Sequence, residues 1–160
     1  MEIRVIDANL DDPNHGEAIV RLLDTYACDL AGGGETLSEF CKSNLIAELQ
    51  KRSDVCAVLA FVNDVPAGFS ICMEGFSTFA CRPLLNIHDL AVSPDFRGLG
   101  ISKRLLEHIE QLALRLQCCK ITLEVLAGNQ LARKVYAEFG FAQYQLNPDT
   151  GGALFLQKKL

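Results

Sequence analysis

The sequence predicts an α/β fold: a mixed, mainly antiparallel sheet of about seven strands flanked by about four helices. Three observations carry this. Two apolar runs, 55–62 and 66–76, are joined by Asn63-Asp64, a turn pair suited to a hairpin. Segments with helical spacing of apolar residues stand between the strand-like runs. One of them, 100–117, links strand 85–92 to strand 121–126 as a crossover.

Residues 2–7 alternate and read as a strand. Asp12-Pro13 opens a helix in which Ala18, Ile19, Leu22, Leu23, Tyr26 and Leu30 share a face, ending at Gly32-Gly33-Gly34. A second helix is expected from Ser38 to Lys51, with Phe40, Leu45, Ile46 and Leu49 on its apolar side. The hairpin follows, then a loop closed by Pro83. In the 100–117 helix, Ile101, Leu105, Ile109, Leu112 and Leu116 lie on one face. The run 121–126 is dense enough in apolar residues for a sheet centre. Asn129 caps a short helix that Gly140 stops, and 141–146 and 153–158 read as the last two strands.

At 160 residues, 49% of them hydrophobic, the chain is expected to form a single domain spanning 1–160 with its own core. The net charge of −5 makes a grip on nucleic acid through bulk charge a poor expectation. The scattered acidic residues read as solubility, with a cationic acceptor near an acidic rim as the alternative. Seven cysteines without metal-ligand spacing suggest buried free thiols, a cytoplasmic setting and no metal. No apolar run approaches membrane-spanning length, so no membrane partner is expected.

The segment Leu90-Ala91-Val92-Ser93-Pro94-Asp95-Phe96-Arg97-Gly98-Leu99-Gly100-Ile101-Ser102-Lys103 carries the chemistry. A strand ends, a glycine-containing loop follows, and an amphipathic helix begins. Glycines let a backbone approach a ligand closely, and the free N–H groups of a first helical turn favour an anion such as a diphosphate. Arg97 and Lys103 add positive charge. Neither a dinucleotide fingerprint nor a P-loop is present. A plain turn is the competing reading of the glycines.

Arg97-Gly98-Leu99-Gly100-Ile101-Ser102 resembles the acetyl-CoA signature of the GNAT superfamily of N-acetyltransferases, Arg/Gln-x-x-Gly-x-Gly/Ala. The preceding Leu90-Ala91-Val92 with its Ser-Pro turn, and the later Asn129, Ala132, Tyr136 and Gly140-Phe141, resemble that family in order and spacing. Ser102 departs from the pattern but is small. The resemblance implies the GNAT fold and acetyl-CoA as co-substrate. Pantetheine would pair with the backbone of Leu90, Ala91 and Val92, where the strand splays at a bulge. The N–H groups of Leu99, Gly100, Ile101, Ser102 and Lys103 would face the diphosphate. Asn129 would contact the pantetheine arm or act as a plain helix cap.

The family uses a tyrosine at the position of Tyr136 as general acid toward the departing thiolate; a core aromatic is the competing reading. A base is needed too, because an alkyl ammonium with pKa of about 10.4 is no nucleophile. His88 is one candidate, since some small-amine acetyltransferases of the family carry a glutamate there; a hydrogen-bonded structural histidine is the alternative. Glu74 is a second candidate. Asp89 is expected to face the other way, orienting backbone or binding the acceptor. The family binds its acceptor with the two N-terminal helices and the loop between the third and fourth strands. Here those regions offer Asp29, Glu35, Phe76, Phe79 and Arg82. The expected acceptor is a small-molecule amine. A protein lysine or N-terminus, or a non-catalytic acyl-CoA-binding module, are the alternatives. The run 153–156 suggests a homodimer edge.

Overall fold

Five strands form the sheet, in the order β1 (Ile3–Asp7), β2 (Val55–Val62), β3 (Val65–Ser77), β4 (Arg82–Val92) and β5 (Ile121–Leu123). The computed structural model describes residues 1–160. The chain divides into two compact units, Met1–Leu123 and Glu124–Leu160. The first holds the whole sheet with helices α1 (Pro13–Cys28), α2 (Glu39–Gln50) and α3 (Ile101–Arg115).

Neighbouring strands from β1 to β4 are antiparallel, and β5 runs parallel to β4. The β2–β3 hairpin closes through Asn63 and Asp64, both at positive φ (47° and 64°). That conformation suits a tight turn between twisted strands, and Asn and Asp tolerate it well.

One face of the sheet packs on α1 and α2. Ile19 and Leu22 of α1 and Leu49 of α2 meet Leu59, Phe69 and Ile71. Asp12 Oδ1 accepts from Asn14 N–H (2.9 Å) and Pro13 follows as the first helical residue, so α1 starts where the sequence says. An added Cβ at Gly16 would press Ile46 at 3.3 Å, which is why the two helices approach there without a side chain. The other face packs on α3, whose Ile101, Leu105, Leu106 and Ile109 are buried. Gly68 sits under Ile101 and Leu105.

Helix α1 ends at Cys28, short of the three glycines. Asp29 turns extended (ψ 154°), a 3-10 turn covers Leu30–Gly32, and Gly33 takes φ 119°. Leu30, expected on the apolar face, therefore lies beyond the helix and is fully exposed. Phe40 is exposed as well. It lies in the first turn after the Ser38 cap, while Leu45, Ile46 and Leu49 carry the packing. The connecting loop is held by Asp24, which accepts from Thr36 Oγ1 (2.7 Å) and Leu37 N–H (2.8 Å) and pairs with Lys42 (3.2 Å). Those bonds, Thr36's first, hold the Asp24 carboxyl below its ordinary range.

The sheet has five strands rather than about seven. Segment 121–126 pairs only as far as Leu123 and forms an edge rather than a centre. Segments 141–146 and 153–158 are not strands; between them stands one bridge, Gln145 to Gly152. Leu154, Phe155 and Leu156 are exposed. Apolar alternation records a capacity for half-burial and does not supply a pairing partner. The expectation of buried thiols holds for Cys72 alone; the other six cysteines are half-buried or exposed. Burial pushes the Cys72 thiol up to about 11.

In the second unit, α4 (Gln130–Phe139) begins at Asn129, whose Oδ1 accepts from Ala132 N–H (3.2 Å). Gly140 ends it at φ 109°. Tyr136 is half-buried and meets Phe141 edge-on, ring centroids 5.8 Å apart.

Phe69 has no exposed surface and lies within the core between the sheet and α1. Phe69→Ala should therefore cost about 3–5 kcal/mol in urea unfolding with an unchanged slope. A loss below about 1 kcal/mol would mean the core is organised around other residues.

Candidate active site

The site begins with a mismatch of one residue. Ile71 pairs with Asp89 and Cys72 with Ile87, leaving His88 without a partner on β3. That is a β-bulge, which bends its strand and raises the local twist. Pairing with β5 covers Leu85, Asn86 and Ile87 and stops there. From Asp89 to Val92, β4 is bonded only to β3.

The direction of the remaining backbone groups follows from one hydrogen bond. Ser93 N–H donates to Ala67 O (2.8 Å), so the backbone of Ser93 faces β3. By antiparallel alternation Ala91 and Asp89 also face β3, and the N–H and C=O of Leu90 and Val92 point outward. Only the Val92 carbonyl has a partner there, Arg97 Nε at 3.3 Å. This is an edge that an extended polar chain can join.

The loop after β4 continues that edge. Pro94–Phe96 form a 3-10 turn, and Gly98 and Gly100 take φ 80° and 76°. A Cβ at either glycine would touch nothing within 4 Å. The glycines thus serve the backbone angle and leave the surface open to close approach. Gly100 provides no side-chain cap to α3, whose first turn holds no acidic residue. After Arg97, whose N–H donates to Pro94 O (3.3 Å), the next N–H to find an acceptor is Arg104's, on Gly100 O (3.2 Å). The N–H groups of Gly98, Leu99, Gly100, Ile101, Ser102 and Lys103 have no acceptor within the protein. Six consecutive free donors at a helix N-terminus favour an anion. Lys103 lies beside them, exposed and only loosely paired with Glu107 (3.9 Å).

Arg97 does not add its charge to this loop. Its guanidinium donates to Asp29 and to the Val92 carbonyl. Leu22, Thr25 and Tyr26 of α1 line the crevice beside it with Ala91 and Val92. Tyr26 donates its hydroxyl to Ala31 O (3.3 Å). Burial, then the Asp89 and Asp29 charges, hold its phenol above the ordinary range and hence protonated.

Asp89 turns toward this same side, because it pairs with Ile71 of the α1-side core. Its backbone carbonyl accepts from Ser70 Oγ (2.8 Å), but no donor reaches its carboxylate. Burial raises its pKa, and His88 pulls it back in part. Sequence reading located Asp89 without this property, for which local sequence carries no signal.

Glu74 lies elsewhere. It pairs with Leu85, on the α3 side of the sheet, exposed and within electrostatic reach of Cys56 and Cys118. Phe76, Phe79 and Arg82 stand at the β3–β4 tip. Arg82 is seven residues from Asp89 along β4, roughly 23 Å at about 3.3 Å per residue. Its guanidinium donates to Gln117 O (3.0 Å). The structure therefore gathers Asp29, Asp89, Tyr26 and Arg97, keeps Glu35 on the same glycine loop, and leaves the hairpin-tip residues and Glu74 apart. Tyr136 and Asn129 belong to the second unit.

A strand free of its β5 neighbour beyond a bulge, followed by a glycine loop of free donors opening a helix, leaves one continuous open backbone edge. The model of the acetyltransferase (GNAT) family matches residues 20–141, and the chain belongs to that family of acetyl-transferring enzymes. It is 32% identical over 111 residues to an uncharacterised N-acetyltransferase of Archaeoglobus fulgidus, covering 69% of this chain and 73% of that one. It is 26% identical over 132 residues to a thialysine N-epsilon-acetyltransferase of Caenorhabditis elegans, covering 78% and 75%. Its fold matches AAC(6')-Iy, solved in complex with the bisubstrate analogue CoA-S-monomethyl-acetylneamine, at TM-score 0.77 and 16% identity over the whole of both chains.

The raised Asp89 pKa has a stability sign. A carboxyl that binds its proton more tightly when folded destabilises the fold above that pKa, and the penalty fades as pH falls. Asp89→Asn should therefore raise Tm at pH of about 8 and lose that advantage by about pH 4. Calorimetry at both pH values checks this; a variant less stable than wild type at both would give Asp89 a structural bond.

Proposed function

We propose that this enzyme transfers the acetyl group of acetyl-CoA to a primary amine of a small molecule, by direct attack in a ternary complex. The observation that carries the reading is the continuous run of free backbone groups: the outward edge of Leu90–Val92 followed by six unbonded N–H groups from Gly98 to Lys103. Acetyl-CoA supplies a thioester whose carbonyl carbon accepts the amine. The N–C bond forms, the C–S bond breaks, and the thiol product leaves.

The chain's residues divide the remaining work. Leu90 and Val92 would hold the pantetheine amides by strand addition, and the loop with Ile101, Ser102 and Lys103 the diphosphate. Tyr136 would give its proton to the departing sulfur, since a phenol with pKa of about 10 is close to a thiol's. His88, freed from the ladder by the bulge, would take the proton of the acceptor ammonium. The thialysine acetyltransferase relative and the neighbour solved with a bisubstrate analogue carrying acetylneamine support a small amine as acceptor. The exposed Leu154–Leu156 run supports association of two copies.

Acetyl-CoA at a hundredfold its Kd should stabilise the protein by about 2.7 kcal/mol, read as a rise in Tm. Gly100→Asp should fold normally and lose that rise, because a carboxylate would stand among the donors. No shift with acetyl-CoA at millimolar concentration would sink the reading.

Catalytic roles are read from turnover with a panel of small amines and lysine peptides. Tyr136→Phe should lower kcat by on the order of 10² to 10⁴ while keeping acetyl-CoA affinity. His88→Ala should lower kcat by on the order of 10² to 10⁴ while keeping acetyl-CoA affinity. If peptides alone are acetylated, the acceptor is a protein. If acetyl-CoA binds and no thiol is ever released, the chain is a binding module.

A further inference from the structure

Asp29 joins two parts of the fold that lie far apart in sequence. Its backbone carries the glycine loop after α1: its carbonyl accepts from Gly32 N–H (2.9 Å) and Gly34 N–H (3.0 Å), and its own N–H donates to Tyr26 O (3.0 Å). Its carboxylate reaches the other way and takes the Arg97 guanidinium. That guanidinium also holds the Val92 carbonyl through Nε (3.3 Å), and the Arg97 N–H holds Pro94 O (3.3 Å). Leu22, Thr25 and Tyr26 of α1 line the crevice around the pair with Ala91, Val92 and Pro94. Arg97 is thus the last residue tied to the body of the protein before the free donors begin. The six N–H groups that follow have no acceptor, and Gly98 and Gly100 hold positive φ with open space around them. Glycine leaves a chain wide conformational freedom, so the place of those donors depends on the anchors at the two ends, Arg97 and α3.

Resting on the acetyl-transfer reading above, we propose that Asp29 is a positioning residue for acetyl-CoA: by holding Arg97 it fixes the glycine loop with its free N–H groups set to receive the diphosphate. This role differs from the acceptor-binding one expected of Asp29 from sequence. A carboxylate already matched by a guanidinium has little charge to offer an acceptor ammonium. The sign of the effect separates positioning from plain electrostatics. By charge alone, a carboxylate near the cofactor site repels an anion, and removing it would tighten CoA. Positioning requires the reverse, because a loosened loop must be ordered again on binding. Both side chains are partly exposed, which keeps the expected effect to a modest factor.

For the test, CoA is titrated calorimetrically into wild type, Asp29→Ala, Arg97→Ala and the double variant, and the KM values of acetyl-CoA and of the acceptor are measured for each. Asp29→Ala should weaken CoA by about three- to tenfold and raise the KM of acetyl-CoA by a like factor, with kcat and the acceptor KM held. The double variant should lose no more than Arg97→Ala alone, since both residues act through one contact. Asp29→Glu should recover part of the affinity. Unchanged or tighter CoA binding in Asp29→Ala, losses that add in the double variant, or a rise in the acceptor KM alone would overturn the assignment. Should wild type bind neither CoA nor acetyl-CoA, the acetyl-transfer reading has failed on its own. Backbone amide relaxation of the free protein then decides for Asp29: lower order parameters at Gly98, Leu99 and Gly100 in Asp29→Ala than in wild type uphold it as the holder of the loop, and unchanged values reject it.

Discussion

β4 carries one residue more than β3 can pair with, and the site depends on that surplus. A ladder that ran in register through His88 would keep Leu90 and Val92 within a sheet whose next strand could follow them. The bulge bends β4, and β5 pairs no farther than Ile87. Two backbone residues then face outward without a strand beside them. The glycine loop and the free first turn of α3 continue the same polar edge. Side chains contribute little to this part of the site, which explains how the family reaction can be carried on chains only about a third identical or less.

The same region stores destabilisation that the rest of the fold offsets. Asp89 is partly desolvated there, so its ionised carboxylate is unfavourable in the free protein, while the exposed donors of the glycine loop face solvent. Around them the core is ordinary and close-packed: Ile19, Leu59 and Phe69 on one face, Leu105, Leu106 and Ile109 on the other, all essentially without exposed surface. A rigid sandwich is what allows a strand end to remain frayed without the rest fraying with it.

Much of this was legible beforehand. The N-cap at Asp12, the Asn63-Asp64 turn, the start of α3 after Gly100 and the Asn129 cap all depend on residues within four positions of each other, and all appear where expected. The failures concern partners. Phe141–Leu146 and Ala153–Lys158 have strand-like composition but find no strand to pair with beyond a single bridge. Position was no more legible: the long hairpin carries Phe76, Phe79 and Arg82, expected to bind the acceptor, to its tip, far along β4 from Asp89.

The sequence by itself determined the class of fold, the family, and the loop from Arg97 to Lys103, because glycine angles, caps and helix starts are chosen by neighbours along the chain. Tertiary structure decided which strands exist, where the register slips, and which charges are matched. Arg97 reaches Asp29 across 68 positions of sequence, and Asp89 is half-buried with no cation but the adjacent His88 acting on it. Pairing of that kind depends on how distant segments meet, and no local pattern of residue types encodes it.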